Sequence, residues 1–155
     1  MQKEKKTGGN LFLCLIKRYQ TTESGSDIVN NIFSNPENNL IILNITIVEV
    51  IQTFFRLHKL SEVNDKDLNI LISSFYKDIQ KNVTIYTLST EHCLQAEKII
   101  SSSLHLKTLK KRPGPVDILQ LAAVLDFTNQ NLIFVSSDQD LNQLAKIHKI
   151  EILSP

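Results

Sequence analysis

The chain has 155 residues, enough for one domain with a sizeable core. Its 42% hydrophobic and 21% charged content excludes a disordered or fibrous chain. Seventeen Lys and Arg stand against 16 Asp and Glu, so the net charge of +1 gives no bulk argument for a nucleic-acid partner, and any basic surface must be local.

The first residues, "MQKEKKTGG", are polar, and residues 1–10 are expected to be frayed ahead of a single domain over 11–155. The apolar stretch Leu11–Ile16 is too short for a secretory signal and is followed at once by Lys17 and Arg18. No stretch approaches the roughly 20 apolar residues of a membrane span, and a cytoplasmic setting is expected. Cys14 and Cys93 lie in apolar stretches with no CxxC pair, which predicts buried, reduced thiols rather than a zinc site. "LFLCLIKRYQ" reads as a helix or as a strand running into one. "SGSDIVNNIFSN" reads as a short helix. "NLIILN", 39–44, is apolar throughout and predicts a strand buried on both faces. Helices are expected over 45–60 and 64–80.

"VTIYTL", 83–88, predicts a second strand by its β-branched content. A helix to about residue 106 follows, capped by Ser89 or Thr90. "KTLKKRPGP" is a basic loop broken by Pro113, Gly114 and Pro115. In the helix after it, only Gln120 and Asp126 are polar within 118–127, so it should lie deep in the domain. The last two strands, 132–136 and 149–153, bracket a helix. Continuous apolar strands alternating with helices predict an α/β protein with a parallel sheet covered on both faces.

Three carboxylates fall at comparable places. Glu49 lies near the start of a helix after a strand, Asp117 opens the deep helix, and Asp138 ends a strand. In such a sheet the ligand crevice lies outside the carboxyl ends of the strands, where these residues would converge. Each also has a plain reading: Asp117 and Asp138 as helix caps, and Glu49 as part of a solvated stripe with Gln52, Thr53 and Arg56. Converged carboxylates repel one another, and a hard divalent cation removes the conflict. Oxygen donors without His or Cys suit Mg²⁺ or Mn²⁺.

The motifs in order resemble the PIN domain, and more closely its VapC-like toxins of type II toxin–antitoxin pairs. "CLIKRYQTTESGSDIV" is similar to the family's stretch after its first strand. "ITIVEVIQTFFR" puts Glu49 in the second acidic place, "VDILQLAAVL" puts Asp117 in the third, and "FVSSDQDLNQLAKIHKIEILSP" puts Asp138 in the fourth. The resemblance covers about Leu11 to Pro155. It implies a three-layer α/β/α sandwich on a short parallel sheet, and Mg²⁺- or Mn²⁺-dependent endoribonuclease activity on RNA. It also implies a cognate antitoxin and allows a homodimer. Glu49, Asp117 and Asp138 then hold the metal, with Asp140 as an auxiliary ligand or a first-turn acid favourable to the helix dipole. Lys107, Lys110, Lys111 and Arg112 would hold the RNA backbone, with Ser136 beside the last acid; a solvated loop is the plain alternative for the lysines.

One departure stands out. Aligning Lys17-Arg18-Tyr19 places Leu11 where the family has its first aspartate, and "KEKKTGGN" does not read as a buried strand. The first metal ligand is therefore missing, and the first, central strand is expected to be absent or altered. Three readings follow: an impaired ribonuclease, an inactive domain that binds RNA or an antitoxin, and a different metal-dependent phosphohydrolase on a related sheet.

Overall fold

A computed structural model describes residues 10–13, 18–19, 24–104, 106, 109, 111–127 and 130–155. The elements run β1 (Asn10–Leu13), α1 (Ser26–Ser34), β2 (Asn39–Leu43), α2 (Asn44–Lys59), α3 (Asp65–Asn82), β3 (Val83–Tyr86), α4 (Thr90–Ser103), α5 (Pro115–Leu125), β4 (Leu132–Val135), α6 (Gln139–Ile147) and β5 (Glu151–Leu153). All five strands are parallel, in the order β3-β2-β1-β4-β5.

The strand order corrects the expectation for the first strand. β1 is present and central, with Leu11 paired to Leu40 of β2 and to Ile133 of β4. The polar "KEKKTGGN" ahead of it argued against a strand, and the short apolar run that forms it reads as helix or strand alike. Of residues 1–10, expected to be frayed, Asn10 instead opens β1; residues 1–9 and Cys14 lie outside the described residues.

Two apolar layers flank the sheet. On one face Leu11, Leu40, Ile42 and Val135 meet Val29 and Phe33 of α1, Val50 and Phe54 of α2, and Leu68 and Phe75 of α3. On the other, Ile41, Leu43, Leu132 and Phe134 meet Ile99 of α4, Leu121 and Val124 of α5, and Leu141 and Leu144 of α6. Alternate residues of β2 thus face opposite layers, as the pleat requires, and four of its five residues are buried. The result is the α/β/α sandwich. α5 is buried from Leu121 to Val124, as its apolar composition indicates. The edge strands differ: Thr84 and Ile85 of β3 and Glu151 and Leu153 of β5 are exposed.

Helix starts follow local chemistry. Asn64 accepts from Asp67 N at 2.9 Å to cap α3, and Ser89 caps α4. His92 is only 3% exposed and closes that cap, its Nδ1 accepting from Ser89 N at 2.8 Å. Its Nε2 lies 2.8 Å from Asp126 Oδ2, which also accepts from the Tyr86 hydroxyl at 2.6 Å. Bonding to that carboxylate, then burial, pushes the Tyr86 phenol up to about 12. This network ties the end of β3 to the start of α4 and the end of α5. Cys93, its sequence neighbour, is exposed, which corrects the expectation of a buried thiol: α4 turns His92 inward, and residue 93 leads away from it. Among the described residues no helix is long and apolar enough to cross a membrane.

Candidate functional site

The strand order reverses between β1 and β4, so an open crevice is expected beyond their carboxyl ends. Three chain connections deliver acids toward it. Glu49 comes from the second turn of α2, which leaves β2 directly. Asp117 is the third residue of α5, set by Pro115 at the helix start. Asp138 sits between β4 and α6.

Glu49 is half-buried. Burial pushes its carboxyl up, and the Asp117 charge pushes it further, against a hydrogen bond from Gln120. Burial likewise raises Asp117; the Gly114 amide and Lys111 counter this, and the Asp138 charge adds to it. Both raised groups cost stability above their folded-state values, and that cost is relieved as pH falls through them.

Each acid has an N–H donor from the chain. Gln120 Nε2 donates to Glu49 Oε2 at 3.2 Å. Gly114 N donates to Asp117 Oδ2 at 2.8 Å. A Cβ at position 114 would lie 3.2 Å from that same oxygen, so glycine leaves the carboxylate room. Leu141 N donates to Asp138 Oδ1 at 2.9 Å, so Asp138 is the α6 cap. Lys111 N donates to Asp140 Oδ2 at 2.9 Å. The cap reading therefore holds for Asp138, and Asp117 reaches back as the capping-box residue three positions into its helix. Of the stripe expected to be solvated with Glu49, Gln52 and Arg56 are exposed and Thr53 is buried.

Ser136 is buried, and its Oγ accepts from Asp138 N at 3.2 Å. Lys111 and Arg112 are exposed at the entry to α5; Lys107 and Lys110 lie outside the described residues. Leu11 is 5% exposed and belongs to the apolar layer under α1, α2 and α3, so strand β1 brings no carboxylate from that position.

Sequence reasoning missed two residues. Gln120, 3% exposed on an otherwise apolar helix, reaches Glu49 across 71 positions; a lone buried amide among aliphatic residues was the available signal. Asn142 Nδ2 donates to Ser136 O at 2.9 Å and braces the turn that carries Asp138.

All-oxygen donors suit Mg²⁺ or Mn²⁺, but among the described residues no three His, Cys, Asp or Glu side chains come together to hold a metal ion.

No family model and no curated protein matches the sequence. Solved structures do match in fold. A chain of the DNA-bound VapBC from Salmonella typhimurium aligns with a TM-score of 0.63 at 13% identity, over 95% of this chain and 98% of that one. A chain of VapBC-1 from nontypeable Haemophilus influenzae aligns at 0.59 and 14%, over 94% and 96%. A chain of VapBC2 from Rickettsia felis, bound to a DNA fragment from its promoter, aligns at 0.57 and 13%, over 94% and 97%. The chain thus has the mixed α/β fold of these chains from VapBC structures.

Proposed function

We propose that the chain is a VapC-like domain of the endoribonuclease class whose Mg²⁺- or Mn²⁺-dependent cleavage of RNA is impaired by the loss of the strand-one acid. The supporting observation is placement: three separate connections put Glu49 in the second turn of α2, Asp117 in the first turn of α5 and Asp138 between β4 and α6, with the Asp117 charge acting on Glu49 and the Asp138 charge on Asp117. Carboxyls perturbed by burial and by one another mark a candidate site.

Glu49, Asp117 and Asp138 are the groups that would hold the Mg²⁺ or Mn²⁺, which would relieve the repulsion between them, and Asp138 also caps α6. Lys111 and Arg112 attract the phosphodiester backbone, and that attraction weakens with salt. Leu11 contributes neither charge nor oxygen, and the missing ligand accounts for the impairment. A cognate antitoxin is proposed as partner, because the chains of like fold come from VapBC structures. The setting is the cytoplasm, where RNA is met.

The test is cleavage of a single-stranded RNA at high protein concentration with Mn²⁺. Slow cleavage is expected, abolished by chelation and reduced by about a hundredfold in Asp117→Asn, the cost of one removed charge-stabilising group. The second reading, an inactive domain that binds RNA or an antitoxin, is favoured by the absence of a three-acid set among the described residues. Failure of the wild-type protein to cut under these conditions eliminates the first reading in favour of the second.

A further inference from the structure

Asp140 is two residues beyond Asp138, where an acidic side chain invites assignment to a cation. Its contact is different. Oδ2 accepts from the backbone N–H of Lys111 at 2.9 Å, across 29 positions of sequence. Four residues of loop, Lys111 to Gly114, then lead into α5, and the far end is held by Gly114 N on Asp117 Oδ2 at 2.8 Å. The loop is pinned at both ends by carboxylates, one from α6 and one from α5.

The consequence is positional. Lys111 and Arg112 are exposed, and the short loop that carries them ends on the Asp117 carboxylate. A loop free at Lys111 would carry those two cations over a wide volume. A loop fixed there holds them beside the acidic residues, where a polyanion bound at the crevice must pass.

We propose that Asp140 is a positioning residue that clasps the loop at Lys111 and so sets Lys111 and Arg112 as a phosphate-binding rim for single-stranded RNA. This rests on the reading of the crevice as an RNA site. A clasp needs an acceptor oxygen at this position; a cation ligand or a helix-dipole partner needs the charge. Asn keeps the oxygen and loses the charge, and Ala loses both.

The experiment compares the wild-type protein with Asp140→Asn and Asp140→Ala. It reads hydrogen exchange at the Lys111 amide and fluorescence anisotropy of a labelled single-stranded RNA oligonucleotide over a salt series. In Asp140→Ala, exchange at Lys111 should quicken about five- to tenfold for one lost hydrogen bond. RNA affinity should fall, with the salt slope reduced by about one for each phosphate contact given up. Asp140→Asn should restore both. Unchanged Lys111 exchange in Asp140→Ala, or an Asn variant as damaged as the Ala variant, overturns the clasp. Equal RNA affinity in all three proteins, with exchange altered, overturns the rim alone. If none of the three binds RNA while Lys111 exchange follows Asp140, the RNA reading of the crevice fails and the rim falls with it.

Discussion

Leu11→Asp is expected to unfold the domain rather than complete its acidic crevice. Leu11 is 5% exposed and lies in the central strand between Leu40 and Ile133. Its layer holds Val29, Phe33, Phe54 and Phe75, none of which can donate to a carboxylate. An unpaired charge buried there costs several kcal/mol even after relaxation, or the group stays protonated and still lacks partners. Against a domain stability of about 5–15 kcal/mol, that loss is close to the whole. Leu11→Ala should lose about 2–5 kcal/mol as a cavity, and Leu11→Asp more. Because the new carboxyl is raised in the folded state, its penalty should be largest at neutral pH and shrink as pH falls. Urea unfolding of both variants at two pH values gives the comparison. A Leu11→Asp protein as stable as wild type, with tighter Mn²⁺ binding, would show that position 11 faces the crevice after all.

The second large effect is at Asp78. Its two oxygens accept from Arg18 Nε at 2.8 Å, Arg18 Nη2 at 3.1 Å and the Tyr19 hydroxyl at 2.7 Å. Arg18 also donates to Asn30 Oδ1 at 3.1 Å and lies 4.1 Å from the centre of the Phe33 ring. The Tyr19 ring meets Phe54 and Phe75 edge-on at 5.3 and 5.6 Å. Burial and then bonding to Asp78 hold the Tyr19 phenol well above its usual range. Side-chain exposures of 22% and 20% put the Arg18–Asp78 pair between surface bridges, worth under about 1 kcal/mol, and buried ones, whose rupture costs about 3–5. Asp78→Ala should therefore cost about 2–3 kcal/mol, since it strands a guanidinium and a phenol together. Arg18→Lys should not substitute fully, because an ammonium cannot make the forked contact. Thermal unfolding reads both; a loss under about half a kcal/mol in Asp78→Ala would place this cluster among solvent-screened bridges.

These two sites also show what a single sequence can and cannot carry. β2 was legible because "NLIIL" is buried on both faces, and α5 because its apolar run leaves no face for water. β1 was legible only in part, since "LFLCLIKRYQ" reads equally as a helix or a strand, and its place between β2 and β4 is set by the tertiary fold. The local settings of Glu49 in a helix after a strand, Asp117 in the first turn of α5 and Asp138 between strand and helix were legible in the sequence. Their allocation of hydrogen bonds was not. Gln120 meets Glu49 across 71 positions, Arg18 meets Asp78 across 60, and Lys111 meets Asp140 across 29. Such pairings are set by the tertiary fold and leave no local period to read.

The convergence of acids is most directly tested by a carbon-detected NMR titration of the Glu49 carboxyl in the metal-free protein and in Asp117→Asn. The wild-type midpoint should lie above the ordinary glutamate range, because of burial and the neighbouring charge, and it should fall in the variant as the Asp117 charge is removed. A midpoint that is ordinary in the wild type, or that does not move in Asp117→Asn, would mean that the two carboxylates do not share a crevice, and the proposed active site would not exist in this chain.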